Sequence, residues 1–185
     1  MKIINEIKKY INLNRENKNL ILNSLKLNEY KKNDVLISQD GSNDCIGFVE
    51  SGLLRSYKIN EQGDDITCHF FEEGSFFVDL LSFNSSPYSS VSIEAITDSK
   101  VYIFNSETFK KLENSIEDWS CFALKYYQLK SSCLINFHTK IKHCNSKDAY
   151  ALFGRYYKQT VKESSKKHIA SFLGISKYTL SRSRL

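Results

Sequence analysis

Residues 35–74 read VLISQDGSNDCIGFVESGLLRSYKINEQGDDITCHFFEEG. Within this stretch Gly41, Gly52, Gly63 and Gly74 stand eleven residues apart, among turn formers: Gln39-Asp40-Gly41-Ser42, Glu50-Ser51-Gly52, Glu61-Gln62-Gly63-Asp64 and Glu72-Glu73-Gly74-Ser75. Glycine adopts the positive φ of a tight hairpin at no steric cost, so turn signals at this interval predict antiparallel strands that close as a sandwich or barrel. The runs between and beyond the turns are β-branched and aromatic: Val35–Ile37, Cys45–Val49, Leu53–Ile59, Ile66–Phe71, Val91–Ile96 and Val101–Phe104. Six to eight strands are expected. The single proline, Pro87, falls in the loop-like stretch 84–90, where a ligand-binding insertion between strands would sit.

Outward from this block the period changes to that of helices. Residues 2–11 and 15–27 carry apolar side chains at helical spacing, with Asn14 placed to cap the second run. After Asn105-Ser106-Glu107 a short helix carries Phe109 and Leu112, and a second start near residues 115–118 opens a much longer helix. Its apolar positions Trp119, Phe122, Tyr126, Leu129, Cys133, Phe137 and Ile141 step by three or four, close to a coiled-coil stripe. A helix of about 25 residues is roughly 35 Å long, more than one small barrel covers, so a second copy of the helix is the expected partner. Packing of the same stripe on its own barrel is the alternative.

Composition limits what the rest can be. The chain has 185 residues, 41% hydrophobic and 25% charged, enough for one core plus a small appendix without disulfides or a structural metal. No apolar run approaches the ~20 residues of a bilayer span, and the N-terminus has no signal-type core, so a cytoplasmic location is expected. Cys45, Cys68, Cys121, Cys133 and Cys144 show no CxxC pairing and read as reduced, mostly buried small hydrophobes. No cofactor and no metal are expected: the barrel region holds only His69, best read as a surface or satisfied histidine, and His138 and His143 miss a common helix face. The net charge of +5 is unevenly spread. Residues 1–154 hold 18 basic against 20 acidic side chains, whereas residues 155–185 hold 8 basic side chains against Glu163 alone. Residues 40–100 hold 3 basic against 11 acidic. An acidic body with a basic tail suggests a polyanion contacted at the C-terminus.

The tail also carries the most specific motif. Ser165–Arg182 reads as helix, tight turn, helix: Ala170 at the crossing, Gly174 at the turn, Ser176 as cap of the second helix, and Ile169, Leu173, Ile175 and Leu180 as the apolar bridge. In a helix-turn-helix the second helix enters the major groove. Lys177, Tyr178, Ser181 and Arg182 are therefore the candidate base readers, and Lys166, Lys167, Ser176 and Thr179 the candidate phosphate contacts.

A helical lead, a glycine-paced β-roll, a long helix and a C-terminal helix-turn-helix together resemble the Crp/Fnr family of bacterial transcription regulators, over essentially the whole chain. Ile169–Ser176 with Leu180-Ser181-Arg182 is similar to the short-tailed branch of that family, and Val35–Gly41 with Gly47–Arg55 resembles its opening strands. The resemblance implies an α+β fold in three parts. These are an antiparallel β-roll (jelly-roll barrel) of cyclic nucleotide-binding type with N-terminal helices over 1–114, a dimerisation helix over 115–143, and a wingless helix-turn-helix over 144–185. It also implies a homodimer that binds a roughly palindromic DNA operator, with RNA polymerase as a candidate further partner, a small effector of unknown identity and no membrane. The dimer seam is expected along Trp119, Phe122, Tyr126, Leu129, Cys133 and Phe137.

Cyclic AMP is not the expected effector. Family members that bind it use a Gly-Glu pair for the ribose and an Arg-Ser or Arg-Ala pair for the phosphate. Here Val78 and Asp79 stand at the first pair, and the arginine position falls near Ser89. Without a cation, nothing offsets burial of the phosphate. Phe77, Asp79, Leu80, Ser89 and Ser90 form the candidate pocket for an uncharged or basic effector; an empty relic of the pocket is the other reading. Two further functions compete with the regulator: a degenerate β-roll interaction protein without operator reading, and a cupin-type enzyme, which lacks its His-x-His cluster here. No catalytic residue is assigned.

Overall fold

The computed structural model describes residues 1–79, 83 and 88–182, the side chains of Ser181 and Arg182 excepted. Candidate residues Leu80, Ser181 and Arg182, and the loop around Pro87, thus lie wholly or by side chain outside the described residues. Two short helices, α1 (Lys2–Ile7) and α2 (Arg15–Ser24), lead into eight strands: β1 (Lys26–Tyr30), β2 (Val35–Ile37), β3 (Cys45–Ser51), β4 (Leu54–Ile59), β5 (Asp65–Phe71), β6 (Phe76–Val78), β7 (Ser92–Ala95) and β8 (Ser99–Asn105). They form two antiparallel four-stranded sheets in the orders β1-β8-β3-β6 and β2-β7-β4-β5, the expected jelly-roll architecture. Six helices follow: α3 (Ser106–Ser115), α4 (Trp119–Ile141), α5 (Ser146–Tyr156), α6 (Lys158–Glu163), α7 (Lys166–Leu173) and α8 (Lys177–Arg182).

The helical lead is shorter than its periodicity predicts. Asn14 Oδ1 caps α2 by accepting from Asn17 N–H at 2.7 Å, as expected, but the helix stops at Ser24. Residues 26–30 instead pair with β8, from Lys26 opposite Ile103 to Tyr30 opposite Ser99, and edge pairing overrides the helical spacing there. At three of the four evenly spaced glycines φ is positive: Gly52, Gly63 and Gly74. Gly52 has a second reason, because a Cβ there would stand 2.2 Å from Ser99 Oγ and 2.7 Å from the Asp98 carbonyl oxygen. In the first turn Asp40, not Gly41, takes the left-handed conformation, with φ 61°. Aspartate tolerates that region because its short side chain bonds locally.

Three apolar clusters follow from this layout. Between the sheets lie Ile37, Val49, Leu54, Phe77, Ile93, Ala95 and Val101. Over the first sheet, α1, α2, α3 and the start of α4 bury Ile7, Ile21, Leu112 and Trp119 against Ile46, Phe48, Phe76 and Phe104. The third cluster joins Phe70 of β5 to Phe137 of α4 and to Phe153, Ile169, Ala170, Phe172 and Leu180 of the C-terminal helices. The cysteines depart from expectation: all five are free thiols, but Cys68 and Cys133 are exposed and the others only half-buried. Cys133 lies on the middle of α4, exposed at the wall of a cavity.

Candidate functional site

The C-terminal helices cross as their sequence demands. Ser165 Oγ accepts from His168 N–H at 3.2 Å and opens α7. Gly174 closes it at φ 66°, ψ 29°, and the Ile175 N–H returns to the Ala170 carbonyl at 3.0 Å. Ser176 Oγ accepts from Thr179 N–H at 3.0 Å and starts α8. Ile169, Ala170 and Leu180 are almost wholly buried at the crossing. Outside it stand Lys166, Lys167, Ser176, Lys177 and Thr179, all exposed, and Tyr178, which is 79% exposed. Every described candidate DNA contact therefore faces outward. Ser176 spends its hydroxyl on the cap and on the Thr179 hydroxyl at 2.6 Å, so any phosphate contact from it competes with the helix start.

These helices are docked on the roll by side chains the sequence did not single out. α7 lies along the edge strand β5, where Ser171 Oγ accepts from Thr67 N–H at 2.9 Å and donates to the Asp65 carbonyl at 3.3 Å. Glu72 accepts from the Thr160 amide and hydroxyl at 2.8 and 2.9 Å, and Gln159 bridges the Gly52 carbonyl and the Glu73 amide. Beneath the docked helix, Arg55 is 2% exposed. Its Nη1 and Nη2 reach the Asp65 carboxylate at 2.6 and 2.5 Å, its Nε donates to Glu94 at 2.6 Å, and Nη1 also donates to Thr67 Oγ1 at 2.9 Å. Burial works against the guanidinium charge, but the two carboxylates outweigh it and hold the Arg55 pKa up. Burial would likewise raise Asp65; bonding to Arg55 overrides it and holds that carboxyl below its usual range. The register that places Arg55 opposite Glu94 comes from β4–β7 pairing, far apart in sequence.

A cavity of about 420 Å3 opens between the roll, the middle of α4 and the junction of α5 with α6. Of the described candidate pocket residues only Asp79 lines it. Phe77 is 1% exposed in the core between the sheets, its ring filling the space beside Gly47, where a Cβ would meet it at 2.0 Å. Ser89 and Ser90 lie behind Asp79, whose Oδ2 accepts from Ser89 Oγ at 3.0 Å and from the Ser90 amide at 2.5 Å. The expectation of a pocket formed by Phe77, Ser89 and Ser90 is thus corrected. The phenyl ring is committed to packing and the serine donors to an internal carboxylate. Asp79 has partners beyond these.

The cavity wall also corrects the reading of His69. Its Nδ1 is buried without a hydrogen-bond partner among the described residues, and burial, with the Lys130 and His138 charges adding to it, pushes its pKa down to about 4. Tyr127 Oη, buried without a partner among the described residues, lies on the same wall and its pKa is raised by burial. Neither carried a local sequence signal, because the cavity assembles residues more than fifty positions apart.

Four of the six residues of the expected dimer seam on α4 pack within the chain. Trp119, Phe122 and Tyr126 are buried against the chain's own roll and N-terminal helices, and Phe137 against its own C-terminal helices. Tyr126 Oη accepts from the Phe76 amide at 2.8 Å. Of the six seam residues, only Leu129 and Cys133 are exposed. Other apolar positions face outward: Leu124, 60% exposed, and Ile135, 66% exposed, on the same side of the helix as exposed Gln128. Large aromatics fit the deep contact with a sheet, whereas Leu124 and Ile135 stand exposed among the described residues.

Residues 27–115 match the family model described as the cyclic nucleotide-binding domain. No curated protein sequence matches the chain. Among solved structures it is similar to FixK2 from Bradyrhizobium japonicum, at 19% identity and TM-score 0.68, covering 86% of this chain and 82% of that one. It is similar to a putative transcriptional regulator of the Crp/Fnr family from Eubacterium rectale, at 22% identity and TM-score 0.68, covering 92% and 82%. It is also similar to CLP, a c-di-GMP-responsive global regulator from Xanthomonas campestris, at 15% identity and TM-score 0.69, covering 92% and 89%. The residues that match the family model are those of the β-roll, from β1 to the end of α3. The likeness to these solved structures is one of fold, and it extends over 86–92% of this chain.

Proposed function

We propose that the chain is a homodimeric DNA-binding transcription regulator whose roll does not take cyclic AMP. The observation that carries this reading is the outward face of α8 and the start of α7: Lys177, Tyr178 and Thr179 beside Lys166 and Lys167 on crossed helices held by Ala170 and Leu180. The division into a roll over 1–114, a dimerisation helix over 115–143 and a DNA-binding part over 144–185 belongs to the same proposal. Two copies associate along Leu124 and Ile135, not along the aromatic face. A dimer presents two reading helices, so the operator is palindromic.

Rejection of cyclic AMP rests on Asp79. Its buried carboxylate takes up the donors of Ser89 and Ser90, and an anion brought against it would meet like charge where a phosphate needs a cation.

Selection from random duplexes with the purified protein, repeated with Lys177→Ala/Tyr178→Ala, tests the reading. Both side chains are exposed, so the variant folds. The wild type is expected to enrich a palindrome and the variant to lose it, with each lost base contact worth about 1–3 kcal/mol. The same unenriched pool from both proteins refutes operator recognition and leaves the interaction-protein reading.

A further inference from the structure

We infer that the cavity beside α4 binds a small planar aromatic carboxylate, and that α7 senses its occupancy. This deepens the regulator reading by naming the effector class. Only its last consequence, at DNA, depends on that reading.

Size and lining come first. About 420 Å3 holds a one- or two-ring molecule and lies within the usual range of small-molecule sites. Its walls include Phe70, Phe71, Phe76, Tyr126, Phe137 and Tyr157, flat faces that suit a ring and have nothing to offer a polar sugar. Two buried polar atoms on that lining, His69 Nδ1 and Tyr127 Oη, have no hydrogen-bond partner among the described residues. A buried polar group left unbonded is costly, so a ligand that carries a hydroxyl or carbonyl on its ring recovers that cost on binding.

Charge selects the remaining group. The carboxylates on the wall are engaged: Glu72 by Thr160, Asp79 by Ser89 and Ser90. The wall's lysine is not so engaged. Lys130 is exposed, lies over the Tyr126 ring at 5.3 Å, and makes no ion pair among the described residues. A carboxylate at the cavity mouth pairs with Lys130 while the ring it carries goes inside. The cavity also touches the DNA-binding part directly. Phe70, Phe137 and Tyr157 face the cavity and also contact Phe172 of α7, at ring separations of 5.5, 5.9 and 5.4 Å. A ring inserted against these side chains moves the surface on which α7 rests.

The probe is 2-naphthoate, with neutral 2-naphthamide as control, titrated calorimetrically into the full-length chain without DNA. Saturable binding of 2-naphthoate is expected, about fivefold tighter than the amide, the size of one partly exposed ion pair. Lys130→Met should weaken the acid to the level of the amide and leave the amide unchanged. Cys133→Trp, at an exposed position on the cavity wall, should abolish binding of both at an unchanged melting temperature. Hydrogen exchange should show altered protection at Thr67 and along residues 166–173 when naphthoate is bound. Absence of saturable binding at millimolar naphthoate, equal affinity for acid and amide, or full binding by a folded Cys133→Trp variant each overturns the proposal. Failure of duplex selection would leave these measurements intact, so the two readings fall separately.

Discussion

The two faces of α4 use the same helical spacing for opposite ends. On one, Trp119, Phe122, Tyr126 and Phe137 are all but solvent-free within a single chain; on the other, Leu124 and Ile135 stand more than half exposed. The inner face is aromatic because it bridges uneven surfaces: a sheet at one end, a helical cluster at the other. Wide flat rings in tilted and edge-on pairs fill such gaps, as Phe76 with Tyr126 at 5.1 Å and Phe137 with Phe172 at 5.9 Å. The outer face is aliphatic and thinner, suited to a second helix. A three-four repeat therefore says that a face is buried but not by what; side-chain size is the cue that sets the intramolecular contact apart from the proposed intermolecular one.

The sharpest way to break this comparison is Phe137→Ala. Phe137 is 1% exposed and belongs to both the cavity wall and the cluster under α7. Its loss is expected to cost about 3–5 kcal/mol in unfolding free energy, transfer and cavity terms combined. Chemical denaturation measures it. A cost below about 1 kcal/mol would mean that the inner face does not hold the C-terminal helices to the roll.

Acid acts on the same region through His69, with a smaller effect. Its folded pKa near 4 lies below the ordinary value of 6.5, so between those values the unfolded chain binds a proton that the folded chain refuses. The stability this group contributes is complete above pH 6.5 and is lost as pH falls toward 4. For one such histidine the loss is at most about 3 kcal/mol. Comparing His69→Phe with wild type in denaturation series from pH 7 to 4.5 isolates it: the variant's curve should fall less steeply. Parallel curves would place His69 in water and undo the account of the cavity wall.

The contrast also explains how far the sequence could be read. The hairpin glycines and the turn at Gly174 were legible because a left-handed φ is a local demand, written at the residue that meets it. So was the helix-turn-helix, whose Ala170, Gly174, Ser176 and Leu180 lie within eleven consecutive residues. The first turn shows the limit even there, since Asp40 took the conformation assigned to its neighbour. Neither Arg55 with Asp65 and Glu94 nor the cavity's His69, Tyr127 and Lys130 left a local pattern: sheet register and helix placement assemble them. The seam residues failed for another reason. Trp119, Phe122 and Tyr126 satisfy a heptad, and so do Leu124, Gln128, Ser131 and Ile135, while only the docked roll decides between them.

The smallest effect on the fold is expected from the outer face, where it is also the most telling. In Leu124→Asp/Ile135→Asp the new carboxylates enter water within one chain, so unfolding free energy at dilute concentration should stay within about 0.5 kcal/mol per site. Association should change completely. The wild type should sediment as a dimer at micromolar concentration and show a melting temperature that rises with concentration, and the variant should sediment as a monomer whose melting temperature does not. Two buried carboxylates facing their own copies cannot be solvated or paired, which drives the change. A variant that remains dimeric would move the interface off this stripe, and exposed Leu129 on the flank would be the next position to charge.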